Sequence, residues 1–333
     1  MTSTCNKGIM LTGDIGGTKT NLALFTLDRE QPRLLAEASY SSRHASSLEE
    51  LIEVFLSQHS ATVSSACFAI AGPVINAAVK TTNLPWHISE QKLRERFSLE
   101  RILILNDIAA TAFSIQALDT SQVFELNMGK PESEGTIGVV APGTGLGTAL
   151  LVFTKGQPWP IPSEGGHADF APKNVQEIEL LRHLLGLMPH VSVERLVSGP
   201  GLATIYSWLR EHRSHLEPKW LQEMFKVKDA SQVISEAALA HKDPLCMESL
   251  DMFTSMLGSA ASNLALTGMT TGGIYLAGGI CPKILPKLKE GGFMAAFVAK
   301  GRFQELLSRI PVRVILSDKA PLVGAAHYML WNG

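Results

Sequence analysis

The chain has 333 residues, 45% of them hydrophobic and 18% charged, which is enough for about two domains with a substantial core and excludes a disordered protein. The 29 Lys and Arg residues nearly balance the 31 Asp and Glu residues, so the net charge of −2 argues against nucleic acid or an anionic membrane as a partner. Four scattered cysteines predict neither a disulfide framework nor a zinc site, and the lack of an apolar signal segment at the N-terminus favours a cytoplasmic location.

The first predicted element is a strand that ends in a glycine-rich turn. An apolar stretch from Gly8 leads to the turn, and residues 20–26 then alternate in polarity as a second strand does. A P-loop or a dinucleotide fingerprint would continue into a helix instead. The segment therefore predicts a strand–turn–strand unit, with the turn motif formed by Gly13, Asp14, Ile15, Gly16, Gly17 and Thr18.

The next elements alternate between helices and buried strands. In order, they are a helix over 46–56 with a capping box of Ser47 and Glu50, a buried strand and turn over 67–74, a short helix over 89–97 and a buried strand over 101–105. Asn106 and Asp107 follow the last strand. Ligands of open α/β sheets bind at the carboxyl ends of strands, so both residues are candidate site residues. Asp107 could instead serve only as the N-cap of a helix over 108–118.

The second half repeats the strand–turn–strand plan after a polar connection over 127–135. Predicted strands over 136–140 and 148–154 flank a turn that contains Gly143, Thr144 and Gly145. The remaining predicted elements are helices over 175–187, 201–213, 231–241 and 244–266, a glycine-rich segment over 272–279, a strand over 312–316 and a helix over 321–330.

One uncharged stretch, residues 252–282, superficially resembles a membrane span. Its serines and the turn over 267–273 leave no apolar run of the ~18 residues that a span needs. We therefore expect a central buried helix there, followed by a loop and a buried strand.

The two glycine turns suggest one device used twice. Glycine allows backbone N–H groups to approach a bulky anion closely. Two turns of the same plan, far apart in the chain, predict a pair of phosphate-binding loops that face each other across a cleft. The third glycine-rich segment, which ends at Gly278 and Gly279, could seat the rest of a nucleotide.

The motifs GDIGGT, LND, PGTGLG, SEGGHADFAP, VERLVSGPGL and GGIYLAGG, in this order, resemble the motif series of bacterial glucokinases, which have the hexokinase–actin superfold. The resemblance runs from about Gly8 to the C-terminal helix. It implies an α/β protein of two ribonuclease-H-like (actin/hexokinase-type) lobes with mixed sheets around a central cleft. Residues 1–117 and 318–333 would form the smaller lobe, and residues 118–317 the larger one.

The resemblance also implies ATP-dependent phosphorylation of D-glucose at its 6-hydroxyl. ATP phosphates would lie between the two glycine turns, and Asp14 would orient Mg²⁺ through water, since Mg²⁺ retains several waters. Asp107 would accept the proton of the sugar hydroxyl as that oxygen attacks the γ-phosphorus.

Glucose is expected to bind to Glu164, His167 and Glu194 together with Asn106 and Asp107, again by resemblance. The related ROK sugar kinases use a similar histidine for zinc, but their cysteine-rich segment is missing here, which favours a sugar contact for His167. The alternatives are a kinase for mannose or an aminosugar, or a non-catalytic sugar-sensing protein of the same fold. The expected partners are glucose, ATP and a second copy of the chain in a homodimer, without nucleic acid or membrane.

Overall fold

The computed structural model describes residues 8–26, 32–81, 84–213 and 216–332, which form two compact units. The first unit comprises residues 1–119, 158–162 and 317–333, and the second comprises residues 120–157 and 163–316. The N-terminal residues 1–7, on which the expected cytoplasmic location rests, lie outside the described residues.

The strands, in chain order, are β1 (Ile9–Ile15), β2 (Lys19–Thr26), β3 (Leu34–Ser41), β4 (Ser65–Ile70), β5 (Ala78–Lys80), β6 (His87–Ser89), β7 (Arg101–Asn106), β8 (Val123–Asn127), β9 (Ile137–Pro142), β10 (Leu146–Thr154), β11 (Gln157–Ser163), β12 (Gly273–Leu276) and β13 (Val312–Ile315).

The α-helices, in chain order, are α1 (Leu48–His59), α2 (Glu90–Phe97), α3 (Asp107–Ser114), α4 (Val175–Leu185), α5 (Gly199–His212), α6 (Lys219–Val227), α7 (Ala230–Leu239), α8 (Pro244–Gly268), α9 (Leu285–Lys289), α10 (Gly292–Val298), α11 (Gln304–Arg309) and α12 (Ala320–Trp331).

The main sheet of the first unit runs in the order β3-β2-β1-β4-β7. Its first three strands form an antiparallel meander, and β4 and β7 add in parallel to β1. Every residue of β4 is buried, as expected for a central strand with both faces covered. The parallel strands β1, β4 and β7 bring their carboxyl ends to one edge of the sheet, where Ile15 is aligned with Ile70 and Ile70 with Asn106.

The second sheet runs in the order β11-β10-β9-β12-β13-β8. Strands β9 and β10 are antiparallel, whereas β12 and β13 are parallel to β9. If β8 is left out and the remaining five strands of each sheet are numbered in chain order, both sheets have the spatial order 3-2-1-4-5. Strand β8 is an additional antiparallel strand at the edge of the second sheet. The repeated plan and the mixed α/β fold class are therefore confirmed.

The long helix α8 forms the centre of the second unit's core. Its buried hydroxyl groups bond within the helix: Ser249 donates to the carbonyl oxygen of Leu245 (2.6 Å), and Ser262 donates to that of Ser259 (2.9 Å). Such bonds let an uncharged, partly polar helix lie inside a protein core. The expected buried helix is confirmed, and no helix in the described ranges is long and apolar enough to cross a membrane.

Helix α3 of the first unit rests against the C-terminal helix α12. A Cβ at Gly324 would overlap the carbonyl oxygen of Ala110, so glycine permits the close approach of the two helices. The rings of Phe113 and Tyr328 meet edge to face, with centroids 5.3 Å apart. The end of the chain thereby positions the helix that begins at Asp107.

Several elements differ from the sequence prediction. The capping box at α1 forms only in part: Ser47 accepts the N–H of Glu50, but the Glu50 carboxylate accepts from the N–H and the hydroxyl of Ser46 rather than from Ser47. The sequence analysis did not predict the strands β3, β5, β6, β8 and β11 or the helices α6, α9, α10 and α11.

Candidate active site

The first glycine turn connects β1 to β2 and is fixed by a buried serine. The N–H of Gly16 donates to the carbonyl oxygen of Lys19 (3.0 Å), which closes the turn. The hydroxyl of Ser42 donates to the carbonyl oxygen of Gly16 (2.8 Å), and its N–H donates to that of Thr18 (3.0 Å). The hydroxyl of Thr20 lies 2.9 Å from that of Ser42 and completes the chain of bonds. The turn is therefore held through its carbonyl groups.

Two members of the first motif have packing roles. A Cβ at Gly13 would lie 2.7 Å from the ring of Phe68, and the side chain of Ile15 is 1% exposed. Any contact of these two residues with a nucleotide would come from the backbone. Thr18, by contrast, is exposed.

Asp14 is a partly buried acid on β1, two residues before Gly16. It faces Asn21 across the β1–β2 ladder, and the Asn21 amide donates to the Asp14 Oδ2 (3.2 Å). Burial, the largest cause, and the negative charges of Asp107 and Asp318 together raise the pKa of Asp14 from 3.8 to about 7, against the lowering effects of Asn21 and Lys19. An acid in this setting favours a nearby cation.

Asn106, rather than Asp107, is the N-cap of α3. Its side-chain oxygen accepts the N–H groups of Ile108 (2.9 Å) and Ala109 (3.1 Å), and its amide donates to the carbonyl oxygen of Gly72 (3.2 Å). Asp107 is the first residue of the helix, and its Oδ1 accepts from Ile108 (3.0 Å). The alternative that Asp107 serves as the cap is therefore wrong, because the preceding residue has that role.

The second glycine turn connects β9 to β10 and is fixed by a carboxylate. The N–H of Gly143 donates to the carbonyl oxygen of Gly145 (2.8 Å), and the Oε2 of Glu194 accepts the N–H of Leu146 (2.8 Å). A Cβ at Gly145 would lie 2.5 Å from this Oε2, whereas a Cβ at Gly143 would meet nothing within 4 Å. Gly145 does not have a positive φ, so the close approach of Glu194 explains the glycine there.

The third glycine motif lies beside the second turn. The N–H of Ala277 donates to the carbonyl oxygen of Val140 (2.9 Å), which continues the parallel pairing of β12 with β9. Gly278 has a φ of +76°, and a Cβ on it would lie 2.6 Å from the carbonyl oxygen of Pro142. A Cβ at Gly279 would meet nothing within 4 Å. The second unit thus brings two of the predicted nucleotide motifs together.

The predicted sugar loop, residues 163–170, folds against the start of β10. A short 3-10 turn spans Gly165–His167, and a Cβ at Gly166 would overlap the carbonyl oxygen of Leu146. The N–H of Val193 donates to the carbonyl oxygen of Ala168 (2.9 Å), which brings the segment that carries Glu194 alongside.

The predicted sugar ligands of the second unit differ in their surroundings. The Nδ1 of His167 lies 4.0 Å from the Oε1 of Glu194, with the histidine side chain 61% exposed and the glutamate 28% exposed. Glu164, which lies at the start of the 3-10 turn, is also exposed. Asp169 pairs with His190 at 3.0 Å, which links the sugar loop to the segment that follows α4.

The structure therefore assembles the predicted residues in two sets. Asp14 and Asp107 interact electrostatically in the first unit, and Gly145, Glu194 and His167 lie together in the second. Sequence reasoning missed four polar residues around the first turn, namely Thr20, Asn21, Ser42 and Asp318. Only Asn21 carried a signal, since it is a polar residue directly before the buried apolar run Leu22–Phe25 of β2.

Known proteins resemble this chain over nearly its whole length. The sequence profile of the glucokinase family matches residues 11–331. The glucokinase of Nostoc punctiforme is 39% identical over 333 residues, covering 96% of this chain and 98% of that protein. The crystal structure of a glucokinase from an Antarctic psychrotroph has a TM-score of 0.83 and 33% identity, covering 98% of this chain and 99% of that one.

A more distant structure supports the fold alone. The glucokinase of Balamuthia mandrillaris, solved in complex with glucose, has a TM-score of 0.80 at 22% identity, covering 100% of this chain and 96% of that one. These likenesses and the repeated strand plan define an α/β protein of the hexokinase type. Within that class the match is more specific. The chain belongs to the glucokinase family, which confirms the resemblance seen in its motifs.

Proposed function

We propose that the protein catalyses the ATP-dependent phosphorylation of D-glucose at its 6-hydroxyl, which yields glucose 6-phosphate and ADP. Its membership of the glucokinase family over residues 11–331 supports this reaction. The observation that carries the residue assignment is the cap of α3: Asn106 accepts the capping bonds, while the carboxylate of Asp107 follows at the carboxyl end of β7.

Asp107 is the general base of the proposed reaction. It accepts the proton of the sugar 6-hydroxyl while that oxygen forms a bond to the γ-phosphorus, and the bond from the γ-phosphorus to the ADP oxygen breaks. Asn106 positions the base, because its own side chain fixes the first turn of α3 and its amide is anchored on Gly72.

The two glycine turns are the proposed sites of the ATP phosphates. Backbone N–H groups and the exposed hydroxyls of Thr18 and Thr144 would donate to phosphate oxygens. The open space around Gly143 and Gly279 suits a bulky anion. Gly278, which lies beside Pro142, would connect the second turn to the nucleoside part of the substrate.

Mg²⁺ fits the surroundings of Asp14. The described residues include no group of three or more His, Cys, Asp or Glu side chains arranged to hold a metal. Mg²⁺ requires less than that, since it binds through one or two carboxylates, waters and substrate phosphates. The raised pKa of Asp14 supports a bound cation, because a cation would offset the charges of Asp107 and Asp318. When bound, Mg²⁺ would neutralise charge on the transferred phosphate.

The proposed glucose ligands belong to both units: Asn106 and Asp107 to the first, and Glu164, His167 and Glu194 to the second. We propose the two units as the smaller and larger lobes of the kinase, which glucose would bring together so that water is excluded. Small-angle scattering should then show a smaller radius of gyration with saturating glucose. Identical profiles with and without glucose would contradict closure. The homodimer and the cytoplasmic location remain predictions.

A coupled assay of ADP formation over a panel of hexoses tests the function. We expect glucose to have the highest kcat/KM, with mannose and N-acetylated aminosugars well below it. Glu164→Ala should raise the glucose KM while the ATP KM changes little, since a lost hydrogen bond to a sugar hydroxyl weakens sugar binding. A preferred aminosugar would overturn the assignment of glucose and favour the alternative kinase.

A further inference from the structure

The two carboxylate oxygens of Glu194 face two different segments of the second unit. Its Oε2 accepts the N–H of Leu146 at 2.8 Å, immediately after the second glycine turn. Its Oε1 lies 4.0 Å from the Nδ1 of His167, on the side of the sugar loop. One rigid planar group thus connects the segment proposed to bind phosphate with the segment proposed to bind glucose.

The backbone around Glu194 is fixed independently of any ligand. The hydroxyl of Ser198 donates to the carbonyl oxygen of Glu194 (2.7 Å) and accepts the N–H of Gly201 (3.1 Å), which caps α5. The N–H of Gly199 donates to the carbonyl oxygen of Gly143 (2.8 Å), so the same segment also holds the start of the turn. The position of the carboxylate therefore depends on its own side-chain torsions.

The turn depends on this carboxylate in return. Leu146 is 6% exposed, so its N–H would lose its hydrogen bond in a largely dry environment if the acceptor moved away. Gly145 leaves room for the carboxylate, because a Cβ there would lie 2.5 Å from Oε2. Movement of Glu194 and movement of the turn are thus linked by direct contact.

We propose that Glu194 is a positioning residue for the second phosphate turn as well as a glucose ligand, and that its carboxylate transmits glucose binding to the nucleotide turn inside the second unit. This inference rests on the proposed function for the sugar contact of Glu194. A carboxylate has about four acceptor positions, so Oε1 can accept a sugar hydroxyl while Oε2 retains Leu146. A hydroxyl bound to Oε1 restricts the side-chain torsions and thereby favours the orientation that holds the turn.

The proposal separates Glu194 from the other sugar ligands. Glu164→Ala and His167→Ala should weaken glucose binding and leave the affinity for ADP unchanged. Glu194→Ala should weaken both, each by about tenfold, because it removes a sugar acceptor and the acceptor of a buried N–H. Glu194→Gln retains a carbonyl oxygen for Leu146, so it should restore the ADP affinity while the glucose affinity remains low.

A substitution on the opposite side of the contact gives the sharper test. Gly145→Ala adds a methyl group that displaces the Glu194 carboxylate, so we expect it to raise the glucose Kd by about tenfold in the absence of any nucleotide. Gly143→Ala, in the same turn, adds a methyl group with nothing within 4 Å and should leave the glucose Kd unchanged. Titration calorimetry with glucose alone and with Mg-ADP alone measures both affinities.

Two results would overturn the proposal. One is a Gly145→Ala protein whose glucose Kd equals that of the wild type. The other is a Glu194→Ala protein that binds Mg-ADP with wild-type affinity, and this result decides the matter should Gly145→Ala not fold. A wild-type protein that neither binds nor phosphorylates glucose would instead contradict the proposed function, so the two failures are distinguishable.

Discussion

The two glycine turns share one backbone plan but are held by different kinds of side chain. The first turn is held through its carbonyl oxygens, which accept from the hydroxyl and the N–H of Ser42. In the second turn the carbonyl oxygen of Gly143 accepts the backbone N–H of Gly199, and the supporting side chain is the carboxylate of Glu194, which accepts the N–H of Leu146. The first arrangement is neutral, whereas the second places a negative charge next to a segment proposed to bind phosphate.

The two turns also differ in the residue that lies two positions before the glycine. Asp14 lies two residues before Gly16, and the corresponding position before Gly143 is the buried Ala141. The first unit thus carries its acid within the strand and suits a cation, and the second receives its acid from a distant loop that also belongs to the sugar site. A duplicated backbone can therefore specialise through the side chains that surround it, without any change in strand order.

The largest expected effect tests whether the reactive acid lies in the first unit alone. Asp107→Asn should lower kcat by at least ~10²-fold, because an amide cannot accept the proton of the sugar hydroxyl, and should change the glucose Kd little. Asp169→Asn, which alters an exposed acid beside the sugar loop of the second unit, is the matched control and should retain kcat. Steady-state kinetics and calorimetry measure both. Near wild-type turnover in Asp107→Asn would exclude it as the base.

The sequence was sufficient for the strands, the turns and the family because these signals are local. Apolar runs that adjoin a glycine turn identify β1, β2, β9 and β10 without tertiary information. Among the missed elements, α9, α10 and α11 have five to seven residues, too few for a helical period to be recognised. Strand β3, by contrast, does alternate between half-buried and exposed residues from Ala36 to Ser41, so its signal was overlooked.

Residue roles in the site depend on contacts that the sequence does not display. Asn and Asp are both favoured at N-caps, so the pair Asn106–Asp107 left the identity of the cap open, and only the bonds of Asn106 decide it. Likewise, Ser42 and Glu194 reach their turns from segments far along the chain. The motifs therefore predict which residues to consider, and the packing decides what each one contacts.

A second prediction compares one close helix contact in each unit. Gly324→Ala and Gly258→Ala should each destabilise the protein by about 3 kcal/mol, since the added methyl groups would overlap the carbonyl oxygens of Ala110 and Phe293, respectively. Only Gly324→Ala should also lower kcat in the remaining folded protein, because it shifts the helix that begins at Asp107. Urea unfolding and kinetics at low temperature measure the two effects.

The control for this comparison is Gly292→Ala. A Cβ at Gly292 would meet nothing within 4 Å, so this variant should match the wild type in stability. An equal loss of kcat in Gly258→Ala and Gly324→Ala would show that the effect on turnover is general rather than a displacement of α3.

The third prediction concerns the pH dependence of the first unit. The folded-state pKa of Asp14, about 7, lies above its ordinary value of 3.8, so between these values the folded protein binds more protons than the unfolded chain. The free energy of unfolding of the ligand-free protein should therefore fall as the pH rises from about 4 to about 7. Asp14→Asn retains an acceptor for Asn21 and should remove this decline, which we expect to be about 1–2 kcal/mol after allowance for partial exposure. Parallel pH profiles of the two proteins would contradict the raised pKa.

The smallest expected effect concerns Ser42, the neutral residue that holds the first turn. Ser42→Ala removes the donor to the Gly16 carbonyl oxygen and the partner of the Thr20 hydroxyl, so it should cost about 1 kcal/mol of stability. The ATP KM should rise by several-fold because the turn is no longer fixed. The glucose Kd should remain unchanged, since Ser42 has no counterpart of the contact between Glu194 and His167. Ser57→Ala, which removes an exposed hydroxyl bonded within α1, is the matched control. Weaker glucose binding with an unchanged ATP KM in Ser42→Ala would contradict the comparison. It would mean that the first turn, like the second, is linked to the sugar site.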